Sequence, residues 1–199
     1  MEATAHTGTA TRILETSFDA FGSRGYEATS LDDLARSLGI RKQTILYWFP
    51  SKEALLGACL DAVALELAAE LVPALATAPE GWPRVQALIR KAFRLAARRP
   101  AIVGVLREAD RLGPPASTRL VERLSPLVER AEVWLEAEMD AGRLRRHDPE
   151  AVVLAAYSMM TGLAAEVETQ RALGMDTDLR AIVRRERAVE RLLEAALVP

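Results

Sequence analysis

Apolar residues recur along this chain at intervals of three and four rather than two, a pattern that predicts helices and no strands. Ile13, Leu14, Ser17, Phe18 and Phe21 fall on one side of a helix over 9–22, which "GSRGY" ends with two glycines. In "TSLDDLARSLG", Leu31, Leu34, Ala35 and Leu38 stand at i, i+3, i+4 and i+7 and form one buried stripe. Ser30 is placed to cap free amides there, Asp32 and Asp33 suit the positive end of the helix, and Gly39 can take the left-handed exit. A turn through Gly39 and Ile40 then leads into a short helix ending near Phe49. Pro50 stops it, and Ser51 caps a long helix. Two short helices joined by a glycine-containing turn form a helix-turn-helix unit. Neither is long enough to be stable alone, so both must share a core with the helix before them.

The rest of the chain reads as helices over 52–77, 82–98, 100–112, 117–141, 149–170 and 178–197. Breaks fall at "APEGWP", Arg99-Pro100, "LGPPAS", "DAGRLRRHDP" and "ALGMDTD". Pro73 and Pro126 predict kinks or early ends in two of these helices. The expected class is all-α, with a three-helix domain over 1–51, whose residues 1–8 form a disordered tail, and a helical domain over 52–199. The last two helices carry long apolar stripes, Val153, Tyr157, Met160, Ala164 and Val167 on one, and Leu179, Ile182, Val183, Val189, Leu192, Leu193 and Leu197 on the other. Two such helices from each of two copies would make a four-helix bundle. The expected dimer surface is Val153, Tyr157, Met160, Ala164, Ile182, Val183, Val189 and Leu193.

Composition agrees with helices: 50% of residues are hydrophobic but only 5% aromatic. The net charge of −2 gives no hint of a polyanionic partner. Locally the balance differs, since Arg36, Arg41, Lys42 and Lys52 lie in a segment without a carboxylate. Cys59 is the only cysteine, which suits a reducing compartment. "MEATAHTGTATR" lacks the apolar core of a signal peptide. The uncharged run "AVVLAAYSMMTGLAA" is short for a bilayer and contains Ser158 and Thr161, so it predicts a buried helix and a cytoplasmic protein without a membrane partner. His6 and His147 stand far apart, and no Cys/His dyad, zinc cluster, phosphate loop or nucleophile elbow is present. Neither catalytic residues, a metal nor a cofactor is expected. "READR" at 107–111 reads as a solvated face with Leu106 and Ala109 turned inward.

The chemistry lies in "GIRKQTILYWFPSKEAL". Arg41, Lys42, Gln43 and Thr44 form the first turn of the second short helix, and Tyr47 follows Thr44 by three residues, while Ile45 and Phe49 face inward. Cation, amide, hydroxyl and phenol therefore share an exposed side, as a DNA-reading helix requires. A charge run with core aromatics, or an all-helical protein–protein interaction module, would not need a segment so free of carboxylates.

The stretch from Ile13 to Asp61, "ILETSFDAFGSRGYEATSLDDLARSLGIRKQTILYWFPSKEALLGACLD", resembles the TetR (tetracycline-repressor-like) regulators. The resemblance implies an all-α homodimer with an N-terminal DNA-binding domain and a C-terminal domain that dimerises and binds a small effector. It implies a transcriptional regulator, usually a repressor, on a palindromic double-stranded operator. Carried over by position, the DNA contacts are Arg41, Lys42, Gln43, Thr44, Tyr47, Trp48 and Lys52, with Ser30 capping near the DNA backbone. Arg41 stands where such proteins commonly have a small hydroxyl residue, Gln43 where they have Gly or Ala, Leu46 where they have Tyr and Trp48 where they have His or Tyr. A largely apolar effector is expected near Phe93, Leu106, Trp134, Tyr157 and Met160.

Overall fold

The structure, a computed structural model, describes residues 2–165, 174, 176 and 178–199. Among them it contains nine helices and no strand: α1 (Glu2–Arg24), α2 (Leu31–Leu38), α3 (Lys42–Trp48), α4 (Lys52–Thr77), α5 (Trp82–Arg98), α6 (Pro100–Leu112), α7 (Ala116–Asp140), α8 (Pro149–Ala165) and α9 (Leu179–Leu197). Residues 166–170, at the end of the expected 149–170 helix, lie outside the described ones. Helix α1 starts at Glu2 and runs through the segment expected as a disordered tail. In "EATAHTGTA" Gly8 disfavours a helix most, at about 1 kcal/mol, and the segment contains no proline to break one. Pro73 and Pro126 sit inside continuous helices. Each removes one i→i−4 bond, and the carbonyls so freed belong to Ala69 and Glu122, both exposed residues that leave them to water.

The chain divides into two compact units. The first runs to Leu65 and takes in Ala101–Arg123; the second comprises Glu66–Pro100 and the described residues from Leu124 onward. The first is organised around Ile13, Phe18, Phe21, Leu34, Ile45, Leu55, Leu60 and Val63, none more than 1% exposed. Helix α6 joins this unit, although its sequence shows only a buried stripe and no hint of which core it enters. It lies against α1 through glycine: a methyl group on Gly22 would stand 2.8 Å from the Ala101 Cα. Asp61 of α4 accepts hydrogen bonds from Arg119 (2.6 Å) and Arg123 (2.8 Å), which fastens the start of α7.

The second unit packs Val85, Ile89 and Phe93 of α5 with Leu135, Met139 and Leu144 and with Val189, Leu193 and Leu197 of α9. Its charged groups are clasped. The Glu138 carboxylate, 2% exposed, accepts from the Gly81 N–H (2.8 Å) and from Arg143 (2.7 Å). Glu190 accepts from Arg90 at 2.9 Å. No helix of the described residues is long and apolar enough to cross a membrane.

Candidate nucleic-acid interface

Helix α2 begins as its sequence demands. Ser30 is extended (φ −97°, ψ 154°), and its Oγ accepts from the Asp33 N–H at 3.0 Å while donating to the Asp33 carboxylate at 2.6 Å. At the far end Gly39 adopts φ 66°, the left-handed region that a side chain would strain. The Ile40 N–H closes the turn onto the Ala35 carbonyl at 3.0 Å. Arg41 is extended and starts α3 without using its side chain as a cap, so the guanidinium projects outward. Ile45 anchors α3 with no exposed surface, and the Phe49 N–H closes the last turn on the Ile45 carbonyl at 2.8 Å. Ser51 then caps α4, accepting from the Ala54 N–H at 3.0 Å.

This arrangement turns one face of α3 to solvent. Arg41, Gln43 and Tyr47 are exposed, Tyr47 by 74%, and Lys42, Thr44, Trp48 and Lys52 are half-buried. The Tyr47 ring meets Trp48 edge-on at 5.2 Å, which supports a phenol that otherwise stands free of the core. The Ser30 hydroxyl is exposed but engaged as the α2 cap.

The segment from Arg36 to Lys52 is carboxylate-free in sequence but not in space. Asp32 pairs with Lys42 at 2.8 Å and Asp33 with Arg36 at 2.8 Å, both near the surface. The Asp33 carboxyl sits below its ordinary range, first because Ser30 donates to it and then because Arg36 does. Arg41 and Lys52 remain outside these pairs.

Lys52 is held from below. Its ammonium lies 4.1 Å from the centre of the Tyr26 ring, a cation–π contact. Tyr26 donates its hydroxyl to Glu53 (2.9 Å) and its backbone N–H to Glu108 (2.6 Å). Burial, then the Glu53 contact, keeps the Tyr26 phenol protonated well above its usual range. Arg111 donates twice to Glu108 and holds that carboxyl below the usual carboxylate range. Sequence reasoning missed Tyr26, Glu53, Glu108 and Arg111. It expected 107–111 to be a solvated face, and while Leu106 and Ala109 are indeed buried, Glu108 is buried with them. Nothing local in "READR" signals this, because its partner lies 82 residues away.

The other expected site residues separate. Phe93 lies in the second unit's core, with Trp134 packed against that core. Leu106 belongs to the first unit. Tyr157 is half-buried on α8, and the side chain of Met160 lies outside the described ones. Trp134 Nε1 is the one buried side-chain nitrogen or oxygen of the described residues without a hydrogen-bond partner. The Arg84 guanidinium sits 5.7 Å from the centre of its ring. Of the expected dimer residues, Val189 and Leu193 lie in the second unit's own core and Val153 packs against it. Their apolar surface is covered within one copy, because α9 needs that stripe to reach α5. Val183 is 39% exposed, and Leu154 (60%) and Leu192 (63%) are exposed on the same two helices. The side chains of Ala164 and Ile182 lie outside the described ones.

Residues 13–59 match the family described as bacterial regulatory proteins, tetR family. Over 44 residues the chain is 36% identical to the biofilm operon icaADBC HTH-type negative transcriptional regulator IcaR of Staphylococcus aureus, covering 22% of this chain and 24% of IcaR. The match thus spans about a quarter of the relative's length. The fold as a whole is similar to the ketosteroid transcriptional regulator KstR2 of Mycobacterium tuberculosis, with TM-score 0.77 and 20% identity over 96% of this chain and 95% of that one. It is also similar to AibR, solved with isovaleryl coenzyme A and operator DNA, with TM-score 0.77 and 19% identity over 92% and 96%.

Proposed function

We propose that this chain, whose residues 13–59 match the tetR family of bacterial regulatory proteins, is a DNA-binding transcriptional regulator, a repressor, acting as a homodimer on a palindromic operator. The observation that carries this reading is the outward face of α3, where Arg41, Gln43 and Tyr47 are exposed around the buried anchor Ile45. A recognition helix reads base edges with such side chains while its neighbours fix the phosphates. Arg41 suits guanine and Gln43 adenine in the major groove. Lys52, stacked on Tyr26, is a preset phosphate anchor. Two copies would place their α3 helices in half-sites about 34 Å apart. The exposed Leu154 on α8 and Val183 on α9 make the apolar part of the contact between copies. The reading is of a non-enzymatic, cytoplasmic regulator.

The effector is a small, largely apolar molecule near Phe93 and Trp134, and its binding releases the DNA. AibR was solved with both an acyl-coenzyme A and operator DNA, which makes the same pairing of partners reasonable here. An effector carrying one hydrogen-bond acceptor would satisfy Trp134 Nε1, whose isolation in a buried setting costs about 1–3 kcal/mol. Helix α4 begins one turn after α3 and continues covalently into the second unit, so it is the route for the signal. Coupling of about 1–3 kcal/mol would change operator affinity roughly 5- to 150-fold. Sequencing the DNA that co-purifies with the protein tests the reading. Enrichment of a two-fold symmetric sequence supports it, and random genomic fragments would refute it.

A further inference from the structure

Two helices of the second unit carry exposed stripes of opposite charge. On α9, Arg180, Arg184, Arg187 and Arg191 lie along one side, all four exposed. At 3.6 residues per turn the four fall within an arc of about 60°, on the side away from Val189, Leu193 and Leu197. A groove of ≈ 350 Å³ opens between Arg180, Val183, Arg184 and Arg187. On α7, Glu129, Glu132, Glu136 and Asp140 fall within an arc of about 80° and line that helix with carboxylates, Glu132 half-buried and the other three exposed. At about 1.5 Å per residue each stripe is about 16 Å long.

The two stripes are not used on each other. Among the described residues Arg184 pairs with Asp176 (2.8 Å) and Asp140 with Arg146, and no ion pair joins the α7 stripe to the α9 stripe. Each stripe is bordered by exposed apolar surface, Val133 (69%) on α7 and Val183 (39%) on α9. A helix face lined only for solubility mixes its signs at i and i+4, because opposite charges there stabilise the helix and like charges do not. Here like charges are stacked at three- and four-residue spacing on both helices, a local cost that Glu190 and Glu194, three residues after Arg187 and Arg191, reduce on α9 and that a partner of opposite charge would reduce further.

We infer that the arginine stripe of α9 in one copy docks on the carboxylate stripe of α7 in a second copy, reciprocally, so that each contact is made twice about a two-fold axis. The occupant is a second copy because the same unit supplies both signs on stripes of matching length. The inference rests on the reading of the protein as a homodimer. It adds a charged border to the apolar contact of α8 and α9 and sets the register of the pair, as complementary charges at interfaces do.

Charge exchange tests it on the full-length chain without DNA. In one variant Arg187→Glu and Arg191→Glu are combined, in a second Glu129→Arg and Glu136→Arg, and in a third all four changes. None of the four residues belongs to the buried core, and thermal melts check that each variant folds. Sedimentation equilibrium should show each double variant dimerising at least tenfold more weakly. The quadruple variant, and an equimolar mixture of the two double variants, should recover most of the loss, and the recovery should shrink as salt rises. Dimerisation unchanged in both double variants would overturn the docking while leaving the homodimer intact. So would a quadruple variant no tighter than the doubles. A wild-type chain that stays monomeric at all concentrations would overturn the docking and the homodimer together.

Discussion

Gly104 faces Gly22 across α6 and α1 so closely that a methyl group on Gly104 would overlap the Gly22 carbonyl oxygen. The neighbour is backbone, which cannot swing aside as a flexible side chain would. Gly104→Ala should therefore force α6 away from α1 and destabilise the protein by about 1–3 kcal/mol, the cost of overpacking. Thermal denaturation of the variant measures this directly. A variant melting with the wild type would show that the two backbones separate at no cost.

Asp32 competes with DNA for Lys42, since the two are paired at 2.8 Å at the edge of the proposed reading face. Asp32→Asn should free that ammonium and remove a nearby negative charge. Affinity should rise for operator and scrambled DNA alike, with the salt dependence steeper by about one unit of slope. Fluorescence anisotropy across a salt series reads both. An equal slope would mean Lys42 stays away from the phosphates.

Burial pushes the Cys59 thiol up to about 12, with Glu15 adding to the shift, and the side chain has no exposed surface. The thiolate is the reactive form. Iodoacetamide should leave the native protein unmodified at about pH 8, near the ordinary thiol value, and label it in denaturant. Labelling of the native chain at the free-thiol rate would contradict the packing of α4 in the first unit.

Glu108 ties α6 to Tyr26 while ionised, and Arg111 depresses its carboxyl below the ordinary glutamate value of 4.5. A group whose folded value is depressed contributes stability above its unfolded value and loses it as pH falls through the folded one. The contribution should thus be complete at neutral pH and fade below 4.5. Glu108→Gln should cost about 1–3 kcal/mol at neutral pH and flatten the acid limb of the stability curve. Melts from neutral pH down into the acid limb decide it, and a variant that tracks the wild type throughout would show that the tie carries no stability.

Short-range signals were legible in the sequence. Ser30, Gly39, Pro50 and Ser51 each fix a helix end by a backbone conformation or a hydrogen bond made within a few residues. The stripe on α2 and the inward Ile45 follow from helical period alone, and so does the outward face of α3. Long-range partners were not legible. Asp32 reaches Lys42 across a turn, Glu108 reaches Tyr26 from a helix expected in another domain, and two glycines meet whose spacing carries no pattern. The apolar stripe of α9 was legible as a stripe, but period cannot say whether α5 or a second copy covers Val189 and Leu193. That choice depends on which surfaces the rest of the chain leaves open.

The reading of α3 as the recognition helix is tested most directly by combining Arg41→Ala, Gln43→Ala and Tyr47→Ala, three exposed residues whose loss should leave the melting temperature unchanged. Binding is then measured on the DNA that co-purifies with the wild type and on a scrambled sequence of the same length, at low and at high salt. Discrimination between the two should collapse, by about 1–3 kcal/mol for each base that is no longer read, while weak salt-dependent binding through Lys52 persists on both. A triple variant that still prefers the co-purified sequence as strongly as the wild type would contradict the assignment of α3.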